Sequence, residues 1–155
     1  MTETHCFEAV VTWTGAAKGP TAPTQDFARG FRAEAAGRPA IVGDAPPAFH
    51  GRGTGYSPEE LLVMALSSCH MLSYLFLCAR SGIAVTGYRD AAQATLGRRD
   101  GRTQIVEAVL RPAVVIARGG DLAKAGRLHE LAQRGCFIAN SVNFPVRHEP
   151  TIGEG

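Results

Sequence analysis

Residues 57–82, SPEELLVMALSSCHMLSYLFLCARSG, decide the fold of this chain. Ser57, Pro58 and Glu60 predict a helix start, because Ser-x-x-Glu is a capping box and proline is tolerated at the first helical position. Neither Gly nor Pro follows until Gly82, a typical helix stop. Apolar residues occupy almost every side of this helix, which predicts burial on all sides. Charged residues at both ends and polar residues in the middle favour a core helix over a membrane span.

The composition is typical of one soluble globular domain over residues 1–155. The chain is 45% hydrophobic and 19% charged, as in ordinary soluble proteins. A net charge of +2 with scattered Lys and Arg does not favour nucleic-acid binding. The N-terminal segment lacks the basic and then apolar pattern of a signal peptide, so we expect a cytoplasmic protein that does not bind a membrane. Its four cysteines are then expected as free thiols or as a redox or catalytic pair.

The other segments predict an α+β fold with mostly antiparallel strands. The Asp100-Gly101 dipeptide marks a hairpin turn. An amphipathic helix is expected at 122–134, with an apolar stripe formed by Leu122, Ala125, Leu128, Leu131 and Ala132. The predicted strands are 6–14, 26–35, 40–42, 83–96, 103–117 and an edge strand near 141–150.

Two of the four cysteines are interpreted as structural. Cys78 lies nine residues after Cys69, about 13 Å along a helix axis and half a turn out of phase, so these two thiols cannot meet. Cys78 is therefore expected to be a small buried apolar residue. Cys6, near the start of a predicted strand, is interpreted as structural or incidental.

Cys69 and Cys136 have more distinctive surroundings. Cys69 lies among serines and a histidine in an otherwise apolar helix, whereas Cys136 follows a helix stop, where the backbone is expected to move. One rigid thiol and one thiol beside a hinge suit a peroxidatic and a resolving cysteine. Residue types alone leave two buried, inert cysteines as an equal alternative.

Metal binding and hydrolase chemistry are less well supported. The cysteines and histidines lack CxxC or HxxxH spacing, so we expect no metal site. His70 lies about 100° round the helix from Cys69 and cannot act as its base. His129 remains open as a base, although a histidine on a helix surface is the more common case.

The segments PEELLVMALSSCH (58–70) and CFIANSV (136–142) resemble the OsmC/Ohr family of osmotically inducible and organic hydroperoxide resistance proteins, and in particular its OsmC-like subgroup. The resemblance implies an α+β domain with antiparallel sheets around a long buried central helix, assembled as an intertwined homodimer. It also implies a peroxidase of oxidative-stress defence that reduces alkyl or lipid hydroperoxides. Cys69 would be peroxidatic and Cys136 resolving, joined in a redox-active disulfide. The resemblance implies no bound cofactor, only an external dithiol or lipoyl-type reductant.

The family also uses a glutamate and an arginine at its active site. Glu59 matches the glutamate; Arg29 is the first candidate for the arginine and Arg52 the second. Glu59 and Cys69 lie about 15 Å apart on one straight helix, so a site that uses both needs the glutamate of another subunit. Otherwise, Glu59 only complements the helix N-terminus. Phe137 departs from the proline found in many relatives.

The expected chemistry depends on a cation and an apolar wall. A nearby arginine favours a thiolate, whereas burial alone favours the thiol. By helical spacing, Leu66, Leu72 and Phe76 lie near Cys69 and would bind the apolar part of a hydroperoxide. Two alternatives remain: a non-catalytic, stress-associated binding dimer, and a Cys-dependent hydrolase or acyl transferase.

Overall fold

The computed structural model describes residues 3–22 and 27–155. The chain forms two compact units with a boundary after Leu61; a single domain over residues 1–155 stays a prediction. The first unit contains strands β1 (Val10–Trp13), β2 (Phe31–Glu34) and β3 (Ile41–Gly43) and two short 3-10 helices. Helix α1 (Pro58–Arg80) begins in this unit and continues into the second.

The sheet of the first unit is antiparallel, with the order β1-β2-β3. Phe31 of β2 pairs with Trp13 on one side and Gly43 on the other. A Cβ atom at Gly43 would lie 2.0 Å from the Phe31 ring, so only glycine fits there. The three strands predicted in this region are confirmed. The first two are shorter than predicted, the third is shifted by one residue, and Asp26 lies outside the described residues.

Helix α1 begins and ends as its sequence predicts. The Glu60 amide donates to Ser57 Oγ at 3.2 Å, and the Ser57 amide donates to Glu60 Oε2 at 2.7 Å, which completes the capping box. Gly82 ends the helix at φ +73°, a backbone conformation that favours glycine. The Ile83 amide then reaches back to the Cys78 carbonyl at 2.9 Å.

The prediction that α1 is buried on every side is wrong for the single chain. Its buried residues recur every fourth position: Leu66, His70, Tyr74 and Cys78. An outward stripe runs along the opposite side, consisting of Met64, Ser68, Leu72 and Phe76. Leu72 is 63% exposed and Phe76 is 60% exposed. The helix is apolar on two opposite faces, and the chain packs against only one of them. By length and composition alone, α1 would also be able to cross a membrane.

The second unit has two three-stranded sheets in place of two long predicted strands. Each long strand is divided in two, giving β4 (Val85–Asp90), β5 (Gln93–Arg99), β6 (Arg102–Leu110) and β7 (Pro112–Ile116). The hairpin between β5 and β6 is confirmed; Asp100 and Gly101 have φ of 52° and 76°, as a tight hairpin turn requires.

The C-terminal strands make these sheets mixed rather than wholly antiparallel. β8 (Val146–His148) pairs in parallel with β6, and β9 (Thr151–Glu154) pairs in parallel with β7. Helix α2 (Leu122–Gly135) lies between β7 and these strands in the chain, and it provides the crossover that parallel pairing requires. The sheet orders are β4-β7-β9 and β5-β6-β8, which leaves β8 at an edge, as predicted.

Helix α2 packs with a face slightly different from the predicted one. Its buried residues are Ala125, Leu128, His129 and Ala132. The three apolar ones pack in one cluster with Tyr74, Cys78, Val114 and Ile116, and His129 stacks on Tyr74. Leu122 and Leu131 are 43% and 48% exposed. The buried face of α2 therefore includes His129, which the predicted apolar stripe did not contain. Leu66, Ala108 and Leu110 form a second core cluster.

Candidate active site

Cys69 lies on the flank of α1, between the buried stripe and the outward stripe. It is half-buried, whereas the next residue, His70, is fully buried. Each helical residue is rotated by about 100° from the one before, so the Cys69 thiol leaves the helix to one side of the core. The thiol is therefore held by a rigid element and remains partly open to solvent.

Cys136 brings a second thiol to Cys69. It directly follows the last residue of α2, is 1% exposed, and its thiol lies close enough to the Cys69 thiol for Cys69 to affect its pKa. Both cysteines are in the reduced form. Burial raises the pKa of Cys136 to about 11, and the neighbouring Cys69 thiol acts in the same direction. The Cys136 thiol therefore keeps its proton at neutral pH.

The segment after Cys136 is more restrained than the predicted hinge. The Ala139 amide donates to Cys136 Sγ at 3.4 Å, and the Asn140 amide donates to the Cys136 carbonyl at 3.0 Å. The Asn140 side chain also donates to the Arg134 carbonyl at 3.0 Å, near the end of α2. These bonds restrain the backbone on both sides of Cys136.

A hydrogen bond anchors α1 two residues before Cys69. Ser67 Oγ donates to Asp90 Oδ2 at 2.6 Å, and the Arg111 amide donates to Asp90 Oδ1, also at 2.6 Å. Asp90 thus connects the cysteine-bearing turn of α1 to the end of β4 and to the residue between β6 and β7. This connection fixes the axial position of Cys69.

Three histidines cluster on the buried side of α1. His70 Nε2 lies 2.9 Å from His129 Nδ1 in α2, and both rings stack loosely with the ring of His148 in β8. Tyr74 stacks on His129 with 3.8 Å between ring centroids. His148 Nε2 lies 3.3 Å from Glu130 Oε1. His129, left open as a base for Cys69, instead hydrogen-bonds to His70.

The two buried imidazoles are neutral at physiological pH. Burial lowers the pKa of His70 to about 4 and that of His129 to about 3, and the neighbouring histidines add to both effects. Asp90 opposes the shift of the His70 pKa only in part. His70 Nδ1 and His129 Nε2 find no hydrogen-bond partner within the described part of the chain. A proton on either ring would therefore be poorly stabilised.

The two candidate arginines lie in the first unit and share one cavity. Arg29 and Arg52 line a space of about 170 Å³ together with Lys18 and Asp44. The Arg29 guanidinium donates to the carbonyls of Phe27 and His50 at 3.1 and 3.3 Å, and it lies 4.1 Å from the centroid of the Phe27 ring. The Arg52 amide donates to Asp44 Oδ2 at 2.9 Å. Which arginine would serve Cys69 stays a prediction.

Glu59 retains a free acceptor atom. It lies in the first turn of α1, where Glu60 already supplies the capping box. Glu59 Oε2 is buried and has no hydrogen-bond partner among residues 3–22 and 27–155. Buried carboxylate oxygens normally have a donor, so this atom is suited to a positively charged partner.

The predicted apolar wall is divided between the core and the surface. Leu66 is 1% exposed and packs with Ala108 and Leu110, so it belongs to the core. Leu72 and Phe76 belong to the outward stripe. The Cζ atom of Arg80 lies 5.6 Å from the centroid of the Phe76 ring. Helical spacing alone does not distinguish a core neighbour of Cys69 from an exposed one.

The remaining cysteines lie where the sequence indicates. Cys78 is 1% exposed in the core beside Tyr74, and burial raises the pKa of its thiol. Cys6 is exposed. Within the described ranges, no group of three or more His, Cys, Asp or Glu residues is arranged to hold a metal ion.

The histidine cluster and the Ser67–Asp90 bond were not predictable from the local sequence pattern alone. One signal was available for His129: residues 125, 128, 129 and 132 follow the i, i+3, i+4, i+7 pattern of a buried helix face. The partner of Ser67 had no comparable signal, because Asp90 lies 23 residues away in the chain.

Comparisons with known proteins agree with this architecture. A family model described as OsmC-like protein matches residues 51–151. A solved OsmC-like protein of unknown function from Vibrio cholerae is 34% identical, with a TM-score of 0.88 over 96% of this chain and 100% of that chain. The uncharacterized protein YmaD of Bacillus subtilis is 25% identical over 115 residues, 71% of this chain and 77% of that protein.

A more distant structure shares the fold. An organic hydroperoxide resistance protein from Elizabethkingia anophelis is 16% identical, with a TM-score of 0.73 over the full length of both chains. The α+β, OsmC-like fold predicted from the sequence is therefore confirmed. The matched family model and the Vibrio cholerae structure together show that this chain belongs to the OsmC/Ohr family.

Proposed function

We propose that the protein is a thiol-dependent peroxidase that reduces organic hydroperoxides in oxidative-stress defence. The observation that carries this proposal is the contact between the half-buried Cys69 thiol and the buried Cys136 thiol. Two reduced cysteines that lie close together are suited to forming a disulfide during turnover. Two inert cysteines, the alternative left open by residue types, would have no need of this contact.

The reaction requires no bound cofactor. The Cys69 thiolate attacks the distal oxygen of the hydroperoxide, the O–O bond breaks, and the alkoxide takes a proton and leaves as an alcohol. Cys69 is then a sulfenic acid, and Cys136 attacks its sulfur to form the disulfide and release water. An external dithiol or lipoyl-type reductant transfers two electrons and two protons to restore both thiols.

An arginine and Glu59 complete the proposed site. A guanidinium beside Cys69, from Arg29 or Arg52, would favour the thiolate. Glu59 would orient that guanidinium through paired hydrogen bonds, and the free acceptor atom of Glu59 supports this role. Because Glu59 and Cys69 lie about 15 Å apart along a straight helix, we assign the glutamate to the second subunit of a dimer.

A second copy of the chain is the proposed partner of the outward stripe. Met64, Leu72 and Phe76 are 46%, 63% and 60% exposed along one face of α1. A contiguous apolar stripe on a protein surface marks a site of contact with another protein or with a membrane. The polar Ser68 within the stripe, the charged helix ends and the need for Glu59 from another chain favour a homodimer over a membrane. The free state of the cysteines agrees with a reducing compartment, so we include a cytoplasmic location in the proposal.

The substrate class follows from the apolar surface near Cys69. Leu72 lies one turn from Cys69 and Phe76 two turns away on the exposed side of the helix. A dimer that covers this surface would leave an apolar wall that suits alkyl or lipid hydroperoxides better than hydrogen peroxide. The structural likeness to an organic hydroperoxide resistance protein agrees with this substrate class.

The test is consumption of cumene hydroperoxide by the purified protein with dithiothreitol or dihydrolipoamide. We expect turnover that is faster than with hydrogen peroxide and is abolished in Cys69→Ser. The matched control is Cys78→Ser, which removes a core thiol and should retain turnover in its folded fraction. If the protein does not consume hydroperoxide, it is a binding dimer; if it cleaves thioesters or peptides through Cys69 instead, it is a hydrolase.

A further inference from the structure

The turn between β5 and β6 concentrates positive charge. Residues 97–102 read GRRDGR, with three arginines and one aspartate, so this turn has the same net charge of +2 as the whole chain. Arg98 and Arg102 are exposed, and their side chains make no hydrogen bond or ion pair within residues 3–22 and 27–155. Arg99 and Arg102 are paired across the two strands, where like charges destabilise a hairpin. The turn therefore presents charge that the described part of the chain does not neutralise.

Arg99 connects this turn to the segment that begins at Cys136. Its guanidinium donates to the Asn143 carbonyl at 3.1 Å. At the other end of that segment, the Asn140 amide donates to the Cys136 carbonyl at 3.0 Å, which keeps residues 136–143 compact. The basic turn and the buried Cys136 thiol are therefore held at the two ends of one short, hydrogen-bonded segment.

Phe137 is an exposed aromatic residue in the same segment. The inward side chains of this region pack against a core cluster; they are Ile138, Ala139, Val142 and Phe144. Phe137, in contrast, is 80% exposed although it directly follows Cys136. Aromatic and arginine side chains are the residue types most enriched at the energetically important positions of protein interfaces. An exposed phenylalanine and a group of arginines thus border the segment that carries the second thiol.

We propose that Arg98, Arg99, Arg102 and Phe137 form a docking surface for an acidic protein that carries the reducing dithiol. The proposal rests on the proposed function, because a disulfide formed in turnover needs an external electron donor. Cys136 is 1% exposed, so a dithiol carried on a protein reaches it only from a surface close by. The arginines attract the acidic surface of the carrier, and Phe137 provides an apolar contact beside the disulfide.

The electron transfer is an ordinary thiol–disulfide exchange. One thiolate of the carrier attacks a sulfur of the Cys69–Cys136 disulfide, which breaks that S–S bond and forms a mixed disulfide. The second carrier thiol then attacks the carrier sulfur of the mixed disulfide and displaces the protein thiolate. The carrier leaves oxidised as a disulfide, and Cys69 and Cys136 are reduced by two electrons and take up the two protons.

Charge favours an acidic carrier over the other occupants of this surface. A second copy of the chain would bring the same unneutralised arginines, and like charges across an interface disfavour association. An anionic membrane would match the charge but carries no dithiol. Opposite charges also speed the encounter of two proteins, which suits a carrier that must bind, react and leave.

The first experiment is a titration of the reduced, isotope-labelled protein followed by NMR. The probe is a reduced lipoyl domain with an acidic surface, and its control is the same domain with surface Asp and Glu changed to Asn and Gln. We expect the acidic domain to shift the amide signals of residues 98–102 and 137–143, and the control domain to shift them little. Shifts elsewhere, or none, would overturn the proposal. Equal shifts with vesicles of anionic phospholipid would assign the surface to a membrane and overturn it as well.

The second experiment measures the rate constant for reduction of the disulfide form, prepared with diamide. Arg98→Gln with Arg102→Gln removes two charges and no hydrogen bond, and Phe137→Ala removes the exposed ring. Each change should slow reduction by the acidic domain about tenfold at low salt and leave reduction by dithiothreitol unchanged. The effect of the arginine variant, but not that of Phe137→Ala, should disappear at about 0.5 M NaCl because salt screens exposed charges.

The matched control is Arg118→Gln with Arg127→Gln, which removes two exposed arginines outside this surface. Its rate with the acidic domain should stay within about twofold of the unmodified protein. Equal losses in the two arginine variants would show that only net charge matters, and equal losses with dithiothreitol would show a changed disulfide; either result overturns the proposal. Light scattering that shows monomers for the docking-surface variants would assign the surface to a second copy and overturn it too.

The two experiments separate this proposal from the proposed function. If the acidic domain shifts residues 98–102 and 137–143 but the protein does not consume hydroperoxide, the docking surface stands and the peroxidase function fails. If the protein consumes hydroperoxide but every variant accepts electrons from the acidic domain at the unmodified rate, the docking surface is wrong and the peroxidase function stands.

Discussion

His70 Nε2 lies 2.9 Å from His129 Nδ1, and neither ring reaches solvent. The two rings connect the cysteine-bearing helix α1 to α2, whose last residue precedes Cys136. Burial lowers the pKa values of His70 and His129 to about 4 and about 3, so the native state holds both rings neutral. The helix that carries Cys69 and the helix that ends just before Cys136 are therefore joined by a contact that protonation weakens.

The free energy of unfolding should fall as the pH drops below about 6.5, the ordinary pKa of histidine in an unfolded chain. Above that pH neither state binds these protons, and the stability is fully present. Below that pH the unfolded chain binds up to two protons that the native state does not bind. The free energy of unfolding then changes with pH by at most roughly 3 kcal/mol per pH unit. Urea unfolding between pH 7.5 and 5 measures this slope.

Two variants distinguish the buried pair from other histidines. The double variant His70→Phe, His129→Phe should have a flatter profile over the same pH range. His50→Gln removes an exposed histidine of the first unit and should leave the profile unchanged. An unchanged profile in the double variant would show that the buried pair does not cause the acid sensitivity.

The hydrogen bond between Ser67 and Asp90 should contribute measurably to stability. Ser67→Ala removes a donor to a carboxylate and should lower the free energy of unfolding by about 1–2 kcal/mol. Ser141→Ala is the matched control, because Ser141 is exposed and its hydroxyl donates to the Phe137 carbonyl of its own segment. Its effect should stay within about 0.5 kcal/mol. Equal losses in the two variants would show that the bond to Asp90 adds nothing.

Local signals predicted much of the fold. The capping box at Ser57 and Glu60, the stop at Gly82 and the hairpin at Asp100-Gly101 depend on residues close together in the chain, and all three are confirmed. The burial of Cys78 also followed from its place on an apolar helix. Each of these features is decided by backbone conformation or by helical period, which a single sequence contains.

Features that depend on distant residues were not predictable in the same way. The parallel pairing of β8 with β6 and the bond between Ser67 and Asp90 join segments that are far apart in the chain, so they depend on the tertiary fold. The two sides of α1 are similarly apolar, so composition did not reveal that Leu66 is buried while Leu72 is exposed. In the candidate site, the sequence named Cys69 and Cys136, but only the structure shows their contact.

Charge on the outward stripe should dissociate the proposed homodimer. Leu72→Glu or Phe76→Glu would place a carboxylate in an apolar interface, which is costly without a partner charge. Light scattering should then show monomers where the unmodified protein shows dimers. Leu131→Glu, on an exposed position of α2, should remain dimeric. A monomeric unmodified protein that sediments with phospholipid vesicles would instead assign the stripe to a membrane.

The proposed sharing of the site between subunits predicts complementation. Glu59→Ala and Cys69→Ser homodimers should both be poorly active. After subunit exchange, a heterodimer has one site with an intact cysteine and an intact glutamate, and a second site with both substitutions. Activity per heterodimer should approach half that of the unmodified protein. If native mass spectrometry shows heterodimers but activity does not recover, Glu59 does not act across the interface.

The most direct test of the account is the disulfide formed by one equivalent of an organic hydroperoxide. Fully reduced protein is treated briefly with cumene hydroperoxide, remaining thiols are blocked, and peptides are mapped without reduction by mass spectrometry. We predict one dominant disulfide, Cys69–Cys136 within one chain, and a persistent Cys69 sulfenic acid in Cys136→Ser. A dominant disulfide that involves Cys6 or Cys78, or protein with all four thiols still reduced, would contradict the account.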